Sequence, residues 1–253
     1  MRFAVLGSGS RGNGMVVEIG ATLLLIDCGL SVLQVKRRLA GLGKHPDDLT
    51  AILVTHEHSD HVNGVAGLAR SQGLPVWATA GTARAAGLSE ATDCVSFDCH
   101  EPFAVADAEV TPYPVPHDAR EPSQFVVGDG RRRLGILTDA GSSTPHIVEC
   151  LDGCDALVLE CNHDSNMLAA GNYPPPLKQR VGGRHGHLSN AQAAELLGSL
   201  DGARLQHVVA AHLSEKNNIP RLARQALADA LGCESEWIAV ADQDRGLAWR
   251  EVV

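Results

Sequence analysis

His56-Glu57-His58-Ser59-Asp60-His61 is the stretch that decides how this chain is read. Only Thr55 separates it from the apolar run Ala51-Ile52-Leu53-Val54, so four polar side chains are released together where a buried strand ends. Imidazole nitrogen and carboxylate oxygen form a ligand set suited to zinc, manganese or iron(II). In the order H-x-H-x-D-H, His56 and His58 can hold one metal while Asp60 and His61 face a second. Two metals a few ångströms apart can share one hydroxide and polarise a phosphoryl or carbonyl oxygen. A polar turn that merely happens to be rich in histidine is the bland alternative. Four ligand types in six residues at a strand end argue against it.

Working outward, three more ligand types stand just beyond apolar runs. His117 follows Val110-Thr111-Pro112-Tyr113-Pro114-Val115-Pro116, Asp139 follows Leu134-Gly135-Ile136-Leu137-Thr138, and His212 follows Val208-Val209-Ala210-Ala211. Each alone would be an ordinary loop residue. With the H-x-H-x-D-H core they complete a two-metal set on rigid strand ends.

The whole chain alternates short aliphatic runs with helical periodicity, which indicates α/β architecture. Strands are expected at 2–6, 15–19, 22–26, 51–55, 75–78, 109–115, 123–127, 134–138, 156–160, 207–211, 236–240 and 247–251. Ser31 should cap a helix with Val32, Val35, Leu39 and Leu42 on one face, ended by Gly43. Further helices should start near His61, burying Val65 and Leu68, and span 190–200 and 220–231. Tyr173-Pro174-Pro175-Pro176 reads as a stiff, shaped loop. With no linker or repeat, residues 1–253 read as a single domain.

Composition narrows the function. The chain has 253 residues with 44% hydrophobic but only 4% aromatic side chains, so its core is aliphatic and no base-stacking platform stands out. No apolar run approaches the length needed to span a bilayer, and the start Met1-Arg2-Phe3-Ala4-Val5-Leu6-Gly7 does not read as a secretory signal. Seven cysteines without a C-x-x-C pair fit reduced thiols in the cytoplasm. A net charge of -9 argues against a general polyanion-binding surface but leaves room for a local basic groove.

These pieces, together with Leu25-Ile26-Asp27-Cys28-Gly29, Thr138-Asp139-Ala140-Gly141 and Ala211-His212-Leu213-Ser214, resemble the metallo-β-lactamase superfamily in the family's order along the chain. The resemblance implies a four-layer αββα sandwich with two divalent metal ions, zinc or manganese, at one edge between the sheets. It would place His56, His58 and His117 on the first metal and Asp60, His61 and His212 on the second. Asp139 would bridge them, and Asp27 would orient a ligand histidine. An aspartate at position 139, where the main zinc β-lactamase subclass has cysteine, lowers the β-lactamase reading. The stretches around Leu6-Gly7-Ser8-Gly9-Ser10-Arg11-Gly12-Asn13, Glu160-Cys161-Asn162-His163-Asp164, Gly186-His187-Leu188-Ser189-Asn190 and Glu215-Lys216-Asn217-Asn218 are similar to the YycJ/WalJ-like hydrolases, a branch associated with 5′-to-3′ exonuclease activity on DNA.

Residue by residue, the glycine-rich turn could bring Ser10 and Asn13 to a phosphate, or simply enter a hairpin. Met15–Ile19 beyond it reads as a strand, which excludes a dinucleotide fold. His187, beside the helix start at Ser189, could donate a proton to a leaving alkoxide, and Asp60 could steer a proton. His163 and Asp164 are candidates to support the site or touch substrate. Lys178, Arg180 and Arg184 form a basic run leading to His187, while Arg131-Arg132-Arg133 reads as a hairpin turn. The expectation is a cytoplasmic dinuclear phosphodiesterase acting on DNA, with RNA as a possible substrate. A metal-dependent small-molecule esterase, thioesterase or lactonase is the alternative, and a non-catalytic metal- or nucleic-acid-binding regulator the second. Oligomeric state is left open.

Overall fold

The computed structural model describes residues 1–253. The first half of the chain holds β1 (Arg2–Gly7), β2 (Gly14–Ile19), β3 (Thr22–Ile26), α1 (Val32–Gly41), β4 (Ala51–Leu53), α2 (Ser59–Val62), α3 (Val65–Gln72), β5 (Val76–Thr79), α4 (Ala80–Ala85), α5 (Leu88–Ala91), β6 (Cys94–Phe97), β7 (Phe103–Val105) and β8 (Ala108–Pro114). The second half adds β9 (Ser123–Gly128), β10 (Arg133–Leu137), α6 (Pro145–Leu151), β11 (Ala156–Glu160), α7 (Ser165–Ala170), α8 (Pro175–Val181), α9 (Asn190–Gly198), β12 (His207–Ala211), α10 (Pro220–Leu231), β13 (Ala239–Val240) and β14 (Leu247–Glu251).

The strands form two seven-stranded sheets, ordered β14-β1-β2-β3-β4-β5-β6 and β13-β12-β11-β10-β9-β8-β7. In each, an antiparallel run passes into a parallel one, at β3–β4 and at β10–β11. Strands buried on both faces need apolar side chains at every position, and Leu23-Leu24-Leu25-Ile26 supplies them. Leu24 and Ile26 face the other sheet beside Phe125 and Val127, while Leu23 and Leu25 face helices beside Leu39 and Leu68. On the far side, Leu157 and Val208 meet Leu196, Leu197 and Leu227 of α9 and α10. Three apolar layers between four structural layers make the expected αββα sandwich.

The departures from expectation have local causes. Pro174 is extended and starts a helix, and Pro175 and Pro176 occupy its first turn, where no N–H is needed. The proposed stiff loop is therefore the entry to α8. The helix expected from His61 is two pieces broken at Gly64, whose N–H bonds Cys28 O and where a Cβ would overlap Leu30 O. Residues 235–237 form a 3₁₀ turn, leaving only two residues of the strand expected at 236–240. The arginine cluster does lie at the β9–β10 hairpin, at the ends of those strands away from Ser123 and Asp139. No helix is long and apolar enough to cross a membrane.

Candidate metal centre

The side chains that could hold a cation converge where several strands end. Asp27 follows β3, His56 to His61 follow β4, His117 follows β8, Asp139 follows β10, Glu160 ends β11 and His212 follows β12. Strand ends of an α/β sheet are where loops can cluster polar groups over a rigid base. All seven expected ligands come together there, in overlapping groups: His56, His58 and His117; His56, His61 and Asp139; Asp60, His61 and His212.

The surrounding hydrogen bonds set the ring tautomers. Asp27 Oδ1 accepts from Thr55 N at 2.9 Å, and Oδ2 accepts from Thr55 Oγ1 at 2.8 Å. That Oδ2 also lies 2.7 Å from His61 Nδ1, so the ring donates there and its Nε2 lone pair points inward. Thr55 Oγ1 has given its proton to Asp27 and accepts from His56 Nδ1 at 3.0 Å. His117 Nδ1 donates to Gly186 O and His212 Nδ1 to Thr138 O, each at 2.9 Å. Four rings are thereby turned so that Nε2 faces the centre, while His58 presents Nδ1. The inward nitrogens crowd together: His56 Nε2 to His58 Nδ1 is 3.1 Å, and His117 Nε2 to His58 Nδ1 is 3.2 Å.

Lone pairs held against each other at such distances fit a cation between them. Tetrahedral coordination with metal–nitrogen bonds near 2.05 Å puts ligand nitrogens roughly 3.3 Å apart. Asp139 Oδ2 is buried and makes no hydrogen bond, although His61 Nε2 lies 3.1 Å away. The electrostatics agree. Burial would push the Asp139 carboxyl up, but the imidazoles of His212 and His61 outweigh it and hold it well below the carboxylate range. Burial would pull His61 down, but Asp139 and Asp27 raise it to about 10, so without an ion a proton occupies the Nε2 lone pair that a cation would take. Burial keeps His56 neutral, well below its ordinary value. The residues present fit a site for divalent cations.

His187 stands beside this cluster. Its Nδ1 is 2.7 Å from Glu160 Oε1 and 3.3 Å from Asp139 Oδ1. Against the pull of burial, Glu160 and Asp139 raise its pKa to about 9. Glu160 was quoted in a motif but given no role from sequence. It is fully buried, its Oε2 accepts from Ala140 N at 2.9 Å and Leu188 N at 3.1 Å, and its Oε1 also lies 3.3 Å from His212 Nδ1. The signal available in the sequence was a carboxylate ending an otherwise apolar strand, Ala156-Leu157-Val158-Leu159-Glu160.

The other candidates divide. Asn13 is buried behind the ligand loop, with Nδ2 3.2 Å from Asp60 Oδ2 and 3.1 Å from His61 Nε2, so it braces the cluster. Ser10 lines the open cleft. Asp164 does not: its Oδ1 caps α7 by accepting from Met167 N at 2.9 Å, which commits the carboxylate to the helix. His163 is also buried outside the cleft lining, and burial lowers its pKa. Of the basic run, Lys178 bonds Ala169 O, Arg184 is exposed outside the cleft lining, and Arg180 reaches the cleft, with Nε 2.5 Å from Asp118 Oδ2. Arg132 binds Asp155 and Arg133 binds the carbonyls of Asp152 and Cys150, so the triple-arginine turn is largely spent on the fold. The cleft over the cluster has a volume of about 300 Å³, and Val181 is its only hydrophobic lining residue.

Residues 22–212 match the family model described as a β-lactamase superfamily domain. The chain is 34% identical over 236 residues to exodeoxyribonuclease WalJ of Streptococcus pneumoniae, covering 91% of this chain and 88% of that protein. It is 35% identical over 235 residues to exodeoxyribonuclease YycJ of Bacillus anthracis, covering 91% and 89%. Among solved structures, the metallo-β-lactamase fold protein YhfI of Bacillus subtilis superposes with a TM-score of 0.76 at 18% identity, over 99% of both chains. The chain belongs to the metallo-β-lactamase superfamily of hydrolases, in the branch that holds WalJ and YycJ.

Proposed function

We propose that this protein is a two-metal phosphodiesterase that degrades DNA from the 5′ end in the cytoplasm. The observation that carries the reading is the inward-turned donor set beneath a polar cleft, in a chain that is like exodeoxyribonucleases over 91% of its length. The imidazole and carboxylate donors accept either zinc or manganese. In this reading His56, His58 and His117 would hold one ion, Asp60, His61 and His212 would hold the other, and Asp139 would serve both. When bound, such a pair supplies a water-derived nucleophile at neutral pH and stabilises charge on the phosphoryl oxygens.

The chain's own residues supply the rest. Asp27, Thr55, Gly186 and Thr138 hold four ligand rings in one tautomer, which lowers the reorganisation needed at the site. Glu160 holds His187 Nδ1 and, with Asp139, raises the ring's pKa against burial, so that its Nε2–H is offered to the leaving oxygen. Asp60 has its carboxyl held down at about 2, where burial is outweighed by His212 and His61. So weak a base serves better as a ligand than as a proton acceptor. An all-polar lining apart from Val181 suits a phosphodiester better than an apolar acyl ester or lactone. Seven free thiols suit a reducing compartment.

The test is incubation with 5′-phosphorylated, end-labelled single- and double-stranded DNA and RNA under Mn²⁺ or Zn²⁺, with Asp139→Ala alongside. Stepwise loss from the 5′ end of DNA, at least 10³-fold slower in the variant, is expected. A fully active Asp139→Ala protein, or turnover of thioesters and lactones but no nucleic acid, would overturn the reading.

A further inference from the structure

The cleft over the metal centre contains one permanent cation, Arg180, among the acidic groups Asp60, Asp118 and Asp139. The other arginines with clear partners elsewhere are spent on the fold: Arg11 on Glu215 and Asp244, Arg38 on two carbonyls, Arg204 on Asp155. Arg180 is different. Only its Nε is engaged, by Asp118 Oδ2, and 58% of its side chain is exposed. A guanidinium has five N–H donors in a planar fork, so four remain unspent at the mouth of the site. Asp118 also fixes where that fork stands. Its Oδ1 lies 3.8 Å from His58 Nε2 and 3.6 Å from His117 Nε2, which puts the guanidinium one carboxylate away from two expected ligand rings.

The support for Arg180 is rigid and shared with His187. Pro175 and Pro176 start α8, and His187 N bonds Val181 O at 2.9 Å at its other end. Gly186 packs directly on the carbonyls of Arg180 and Val181, where any Cβ would overlap both. The helix end bearing Arg180 and the loop bearing His187 are therefore one unit.

We propose that Arg180 is a phosphate-binding residue that grips the phosphodiester next to the scissile one, with Asp118 holding the guanidinium ready for it. The proposal rests on the nuclease reading above and deepens it: the substrate must carry a second phosphate along the strand. A small diester with a single phosphate cannot use the contact. Arg180 makes two of its free donors to phosphate oxygens in the fork geometry that lysine, a point charge, cannot copy. Arg180 is the one permanently charged basic side chain of the cleft lining, and Asp118 holds it beside the ligand rings, where it can take a neighbouring phosphate.

The experiment compares wild type, Arg180→Gln and Arg180→Lys, each loaded with Mn²⁺, on a 5′-phosphorylated oligonucleotide and on bis(p-nitrophenyl) phosphate. Rates are taken between 50 and 200 mM KCl, with the melting temperature of each protein recorded. Arg180→Gln should raise KM for the oligonucleotide about tenfold or more, a larger change than in kcat. Its loss on the oligonucleotide should exceed its loss on the small diester at least fivefold, and Arg180→Lys should recover part of it. The slope of log(1/KM) against log[salt] should become shallower by about 0.7 to 0.9, the value of one phosphate contact. Equal losses on both substrates would mean that Arg180 acts only by seating the His187 loop, and would overturn the proposal. So would an unchanged oligonucleotide KM in a wild type that degrades DNA. A wild type inert on DNA would overturn it together with the reading beneath it.

Discussion

Asp27 and His212 both leave their strands with positive φ, 58° and 53°, a conformation that costs a non-glycine residue about 1–2 kcal/mol. Both side chains belong to the cluster, so the strain is spent on aiming them. Asparagine tolerates this backbone region, so Asp27→Asn keeps the turn while removing the charge behind His61. We expect metal affinity to fall about 10- to 100-fold with little change in the far-UV spectrum, as measured by competition with a chromogenic chelator. Glu160→Gln tests the other buried carboxylate. It removes the leading charge that raises His187 against burial. The acid form would then be lost at lower pH, and the alkaline limb of the pH–rate profile should move down from about 9. An unmoved limb would free His187 from the role of proton donor. Spacing made the ligands legible because a metal needs several donors close together. Asp27 was legible only through resemblance, and Glu160 had no assigned role, because nothing local in sequence shows which distant histidine a buried carboxylate will meet.

Among elements, the β9–β10 hairpin and α8 show what sequence patterns resolve and what they miss. The hairpin was expected from its turn, but the purpose of its arginines was not, because Asp155 lies beyond the following strand and helix. Asp155 is fully buried and receives Arg132, Arg204 and the Arg133 N–H. Asp155→Ala should destabilise the fold by about 2–3 kcal/mol, less than for a fully enclosed pair because both guanidinium groups are part-exposed. Its urea midpoint should fall while the residual folded protein keeps its activity, since the hairpin lies at the far end of the sheet. The proline run misled because three prolines favour an extended chain locally. Proline is equally at home in the first turn of a helix, and the residues beyond it decided the matter. The short β6 and β7 were missed for the opposite reason: Cys94-Val95-Ser96-Phe97 and Phe103-Ala104-Val105 are too brief to show a period, and both lie at sheet edges, where packing is one-sided.

The molecule as a whole is an αββα sandwich whose thiols lie mostly inside it. Burial pushes Cys28 up to about 12 and Cys154 up to about 11. Both values exceed the ordinary thiol range, so the folded state binds these protons more tightly than the unfolded chain. The associated stability is complete below about pH 9 and is lost as pH rises through 11 to 12. Native protein at pH 8 should therefore leave these thiols unlabelled by iodoacetamide, and denaturant should expose all seven. Labelling of Cys28 in the native state would contradict the packing. The two-sheet plan has one more consequence. Potential ligands from His56 to His61 come from one sheet, and His117, Asp139 and His212 come from the other. A chain emerging from the ribosome with its N-terminus first has less than the full set until β12 has been made and has joined β11. The centre is thus completed last, and a chain cut short before β12 lacks His212 however well its first sheet has formed.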